Sequence, residues 1–205
     1  MSSARLRWYY HRLRSMPLRE IPHRVAEAAK KRRDRRGAIA RRAQHVPDAV
    51  LAADLPALPL DHARLDAIPV KARETLERDA DALLCGSFTL LGQTWPLGSR
   101  RDWSLDPETG QHWPHDEFCF DIERRHGAGP GDVKFVWELS RLQHLQVLAL
   151  ASVVLGREDA REAAVSDIVA WFESNPPFRG LGYACGIELA SRVVSILVVT
   201  ALLGP

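Results

Sequence analysis

Residues 135–155 read FVWELSRLQHLQVLALASVVL. Leu139, Leu142, Leu145 and Leu148 recur at helical spacing, no Pro or Gly interrupts them, and Gly156 follows as a stop signal. The spacing predicts one long helix, Phe135 to Leu155. A second follows from Glu158 to Glu173, ended by Asn175-Pro176-Pro177, and a third from Ile187 to Leu203. Helices joined by short loops pack antiparallel. The expected fold class is therefore all-α. No strand pattern leads into a GxGxxG or GxxxxGK turn, so nucleotide-binding α/β folds are disfavoured.

Upstream, residues 71–84 (KARETLERDADALL) read as a short amphipathic helix, and Leu90 to Pro96 as one short strand with a turn. Arg101 to Asp121 is a loop dense in Trp, Pro, Asp and His. Such a loop is either functional or disordered, and its aromatics argue against disorder. Residues 4–45 read as basic helix broken by Pro17 and Pro22, with Trp8, Tyr9, Leu13 and Met16 as a small apolar stripe. Pro47, Pro56, Pro59 and Pro69 mark a linker. The division is a basic arm over 1–46, a Pro-rich linker over 47–70 and a helical body over 71–205.

The 205 residues are 46% hydrophobic and 26% charged, as in a soluble globular chain. The net charge of +2 hides a split: residues 1–46 carry +11 and residues 47–205 carry −9. The KKRRDRR run at 30–36 reads as a nucleic-acid or anionic-membrane contact, or as a solvated helix face, or as an arm lying on the acidic body. Nucleic-acid binding resting on 1–46 alone would show steep salt dependence. The N-terminus meets Arg too often for a secretory signal. The apolar run Val193 to Leu203 is too short to span a bilayer and reads as a buried helix. Cys85, Cys119 and Cys185 are too few and too scattered for a disulfide scaffold.

Trp137, Arg141 and His144 fall at i, i+4 and i+7, on one face of the long helix. Together they can line a groove for an anionic sugar, with Trp stacking on the ring and Arg forking onto a carboxylate or sulfate. Equally, Glu138 and Arg141 can form a pair that ties helices together. Glu188 and Arg192 repeat the theme at i, i+4, as groove lining or as a bracing ion pair. The Gly/Pro loop before them delivers Tyr183 to the helix start. His112, His115 and Cys119, near Asp116 and Asp121, match no common zinc spacing. No metal, cofactor or catalytic residue is assigned.

The stretches Asp102-Trp103-Ser104, Asp106-Pro107-Glu108-Thr109-Gly110, Trp113-Pro114, Asp121-Ile122 and DVKFVWELSRLQHL (132–145) together resemble the N-terminal region of the heparinase II/III-like polysaccharide lyases. WFESNPP (171–177) and GIELASR (186–192) are similar to the next two landmarks, in the same order, and the opening with Trp8-Tyr9 and Met16-Pro17 is similar to many bacterial members. The resemblance covers nearly the whole chain. It implies an incomplete (α/α) toroid of antiparallel helical hairpins, with a basic N-terminal helix, a long aromatic loop and, downstream, a mostly β-sandwich portion. It implies cleavage of uronate-containing acidic polysaccharide by β-elimination, using an Asn or His, a Tyr and a further His.

This sequence has Gly182-Tyr183 where the family commonly has Asn-Trp, and no counterpart of the catalytic set. Trp137, Arg141, His144, Glu188, Arg192 and Tyr183 map as groove lining or support. The expectation is a chain covering the first part of a ring, inactive alone and exposing an apolar face on its last helix through which it self-associates. The alternative is a stand-alone helical carbohydrate-binding or interaction module without catalysis. Localisation is cytoplasmic on the sequence and periplasm or cell envelope by the resemblance.

Overall fold

The computed structural model describes residues 7, 10, 11, 14, 15, 17, 19–37, 65, 67–98, 101–124 and 129–204. The stripe Trp8, Tyr9, Leu13 and Met16 lies outside the described residues, as does most of the proline-rich segment. The chain divides into two units, Met1–Val46 and Pro47–Pro205.

In the first unit, α1 spans Glu20–Arg35. Pro22 does not break it. It sits in the first turn, where a missing N–H costs nothing because that group has no intrahelical acceptor. The KKRRDRR run forms its last turns, a favourable place for cations near the negative helix end.

The second unit is mainly α-helical with one small sheet. Helix α2 covers Val70–Leu84 and follows Pro69, whose ring suits a helix start. Strands β1 (Ser87–Leu90) and β2 (Gln93–Pro96) pair antiparallel, Phe88 opposite Trp95. The expected single strand is thus a hairpin. Its two turn residues, Leu91 (φ 53°) and Gly92 (φ 80°), both adopt the positive φ of a tight two-residue turn. Gly86 is required beside it. Its φ is +80°, and a Cβ there would lie 2.5 Å from the backbone of Gly98.

The predicted helix 135–155 is two helices, α3 (Val133–Ser140) and α4 (His144–Leu155). Asp132 caps α3, its carboxylate accepting from the Lys134 N–H at 3.0 Å. The break falls at Leu142, which holds φ +59°. A left-handed leucine costs roughly 1–2 kcal/mol. The offset is its side chain, wholly buried in the main core, worth about 2 kcal/mol.

Gly156, left-handed at φ 67°, ends α4 as expected, and Glu158 opens α5 (Glu158–Ser174). The two-residue connection makes α4 and α5 an antiparallel hairpin. After the Asn175 cap, a loop leads to α6 (Gly186–Leu203). Arg161 near the start of α5 donates to the Leu203 carbonyl at the end of α6, at 2.8 Å, so these helices also run antiparallel. Helix α4 is central, packed against α2, α5 and α6.

The aromatic loop 101–121 is a packed part of the core. Trp103 joins the main cluster with Phe88, Phe135, Leu145 and Trp171. Trp113 anchors a second cluster with Ile122, Val133, Val136 and Leu181. Asp106 folds the loop locally, accepting from the backbone N–H groups of Glu108 and Thr109.

Helix α6 differs from the buried helix expected. Its buried positions are Glu188, Arg192, Ser195 and Val199, at i, i+4, i+7 and i+11. Its exposed positions include Ile187, Val193, Val194 and Leu197. The polar side faces inward because the inward side chains have specific polar partners, described below. At 18 residues and mean hydropathy 1.9, α6 is also long and apolar enough to cross a membrane, unlike the shorter run read from sequence.

The Leu142 backbone is testable. In a regular helix Gly is about 1 kcal/mol worse than Ala. Here Leu142→Gly should be more stable than Leu142→Ala by about 1 kcal/mol in urea denaturation, because only glycine accepts this φ freely. The ordinary order of the two would rule out the left-handed junction.

Candidate functional site

The residues singled out from sequence do not share one face. The turn at 141–143 sends Trp137, Arg141 and His144 into three environments. Trp137 packs on the second cluster, its indole donating to the Leu181 carbonyl at 3.3 Å. Arg141 and His144 enter two separate polar centres.

The first centre joins α3, α5, α6 and the loop before α6. Arg141 forks onto Glu188 (Nε to Oε2 2.7 Å, Nη2 to Oε1 3.0 Å) and also binds Glu138 with Nη1. Bidentate geometry is the strong form of this contact, and it raises the Arg141 pKa through the Glu188 bond. All three guanidinium nitrogens are used, so the Glu138–Arg141 tie read as one of two possibilities is present. The Glu188–Arg192 ion pair is not: Glu188 takes Arg141 instead.

Arg192, 3% exposed, donates to the carbonyls of Ser140 (2.7 Å) and Gly182 (3.0 Å) and lies 3.8 Å over the Trp171 ring. Burial lowers its pKa to about 10, which leaves it charged at neutral pH. Tyr183 completes the stack, 5.9 Å from Trp171, its hydroxyl donating to the Asn175 carbonyl at 3.2 Å. Burial pushes its phenol up.

The second centre was not visible in the sequence. His144 opens α4 with its side chain 8% exposed, and its Nε2 lies 3.3 Å from Asp167 Oδ2 on α5. Arg101 places Nε 3.3 Å from the same oxygen, and its guanidinium covers the Phe88 ring at 4.4 Å. Phe88 meets the imidazole edge-on at 5.1 Å and Trp103 stacks on it at 6.4 Å. Burial depresses the His144 pKa and outweighs the Asp167 hydrogen bond, which acts the other way; the Arg101 charge adds to the lowering. The imidazole is therefore neutral near pH 7. The carboxylate partner places the proton on Nε2.

His144 also lines a cleft of about 380 Å³ between α2, the hairpin and the α3–α4 junction. Asp79, Ser87, Thr89, Glu138 and Gln143 supply its polar wall, and Phe88, Leu83 and Val147 its apolar one.

Among the described residues, no three His, Cys, Asp or Glu side chains group as a metal site. His112 pairs with Asp102 at 3.2 Å and His115 with Asp116 at 3.2 Å, while Cys119 is buried and in no disulfide.

Searches against protein-family models, curated proteins and solved structures returned no match.

Asp167 carried a signal that sequence reading missed. Ala160, Ala164, Asp167 and Trp171 form an i, i+4, i+7, i+11 row, an inward face holding one acid. Arg101 had none, since its partner is set by loop packing.

Two outcomes are expected. Arg192→Met should cost about 3 kcal/mol or more in urea denaturation, because two charge-assisted bonds are lost and the Ser140 and Gly182 carbonyls are left unpaired. Arg192→Lys should recover only part of this. For His144, a folded pKa below the ordinary 6.5 means that the unfolded chain takes up a proton first. Stability should hold above pH 6.5 and fall as pH drops below it, toward the folded pKa. Side-chain NMR should find His144 neutral where exposed histidines are charged; co-titration with them would refute the buried neutral imidazole.

Proposed function

We propose that this chain is the helical-toroid portion of a heparinase II/III-like polysaccharide lyase, contacting uronate-containing acidic polysaccharide. One observation carries the reading. The three strings that resemble the family, WELSR (137–141), WFESNPP (171–177) and GIELASR (186–192), meet at one node. Arg141 binds Glu188, Arg192 binds the Ser140 carbonyl, and Trp171 lies under Arg192. Strings far apart in sequence thus have a joint physical task, which accounts for their occurring together and in order. The antiparallel hairpins α4–α5 and α5–α6 suit stacking in a ring.

In this reading Trp137, Arg141, Glu188, Arg192 and Tyr183 support the groove wall, and none is a catalytic residue. β-Elimination needs a group to offset the uronate carboxylate charge, and Arg141 is already held by two carboxylates. The chain should therefore bind heparan sulfate, alginate or an acidic exopolysaccharide saturably in equilibrium dialysis. It should release no unsaturated uronate on prolonged incubation. Steady product release would overturn the supporting role, and binding no tighter than to a neutral polymer would overturn the family reading.

The outward apolar positions of α6 favour a second reading, a helical interaction module without catalysis. Sedimentation at rising concentration should then show self-association, and a monodisperse monomer throughout would exclude association through α6.

A further inference from the structure

The cleft beside His144 presents an unusual balance of hydrogen-bonding groups. Among its lining residues are two carboxylates, Asp79 and Glu138, and no Lys or Arg. Asp79 is held by Arg78 at 3.1 Å, and Glu138 by Arg141. Each carboxylate keeps further acceptor positions, since it has about four. Thr89 and Ser87 add hydroxyls from the hairpin, and Gln143 an amide from the junction.

The imidazole adds one more acceptor. With Nε2 turned to Asp167, Nδ1 is the lone-pair nitrogen, and it has no partner among the described residues. The ring is nine-tenths buried and fixed by Phe88, Trp103 and Asp167. Such a nitrogen is pre-oriented, so accepting a bond costs it little ordering entropy. The left-handed Leu142 backbone two residues earlier positions it, and strain of this kind gathers at ligand sites.

The cleft is thus rich in acceptors and carries no free cation. A carboxylate, sulfate or phosphate desolvated there finds no cation in the lining to pair with, whereas a ligand rich in donors is complemented. Its volume of about 380 Å³ lies within the range of about 300–1,000 Å³ usual for small-molecule sites. We propose that this cleft is a subsite for a non-anionic sugar unit, neutral or amino, and that His144 Nδ1 accepts a hydroxyl hydrogen bond from it. The choice of a sugar rests on the carbohydrate reading above; the exclusion of anions rests on the cleft alone.

The test is a side-chain and amide NMR titration of the full chain with cellobiose, a glucosamine disaccharide and glucuronate. Saturable shifts at His144, Thr89 and Gln143 are expected with cellobiose or the glucosamine disaccharide, and none with glucuronate. Preference for the amino sugar that weakens with salt assigns the bond to Asp79 and Glu138; equal response assigns it to hydroxyl recognition.

Thr89 and Gln143 are exposed, so Thr89→Val and Gln143→Ala should fold normally. Each should weaken binding about fivefold, the effect of losing one neutral hydrogen bond. Glucuronate binding as well as cellobiose, no response to any of the three sugars, or variants that bind unchanged would each overturn the subsite. Uronate polymer binding without a response here would remove the subsite and leave the family reading standing. The reverse pattern would remove the family reading alone.

Discussion

A single buried cation organises the helical body. Arg192 reaches from α6 to the end of α3 and to the loop before α6, and rests on Trp171 of α5. The Ser140 carbonyl it binds lies in the last turn of α3, whose carbonyls lack helical partners. A charge brought out of water is tolerable only with such partners. Arg192 thus fixes where α3 stops, how the loop approaches and which side of α6 turns inward. Glu188, one turn away, repeats the constraint through Arg141.

Leu142 then separates two chemistries within three residues. Before it, Arg141 belongs to the node. After it, His144 belongs to the Asp167 and Arg101 cluster and to the cleft. In an unbroken helix both side chains would lie toward one groove, and the basic and neutral groups would share a ligand. The left-handed turn divides them. The node has its charges spent internally, whereas the cleft keeps acceptors on offer.

Much of the helical outline was legible. Gly156 and the Asn175-Pro176-Pro177 stop signals end their helices where they should, because those signals act through local backbone geometry. The break at Leu142 was not legible, because nothing local prefers it; the energy comes from distant core packing around that side chain. Pro22 misled for the opposite reason, since its effect depends on position within the helix. Pairings failed where two acceptable partners competed. Glu188 had Arg192 one turn away in sequence, yet the geometry gives it Arg141, 47 residues off. Asp167 sat in an inward-facing row and was readable in principle. Arg141 and Arg192 stood out in the sequence, but not how each would be used.

The inverted pattern of α6 has a thermodynamic consequence. Heat capacity and denaturant sensitivity both track the apolar surface removed from water. The inward face of α6 offers Glu188, Arg192 and Ser195, and of its large apolar side chains only Val199 is fully covered. Docking α6 therefore adds less to the heat-capacity change of unfolding than its composition suggests, since Ile196, Leu202 and Leu203 are only partly buried against the core, although it adds several charge-assisted bonds. The curvature of stability with temperature comes instead from α4, α5 and the tryptophans of the loop. A helix rich in aliphatic residues is thus, in calorimetric terms, a weaker hydrophobic attachment than its composition alone would give.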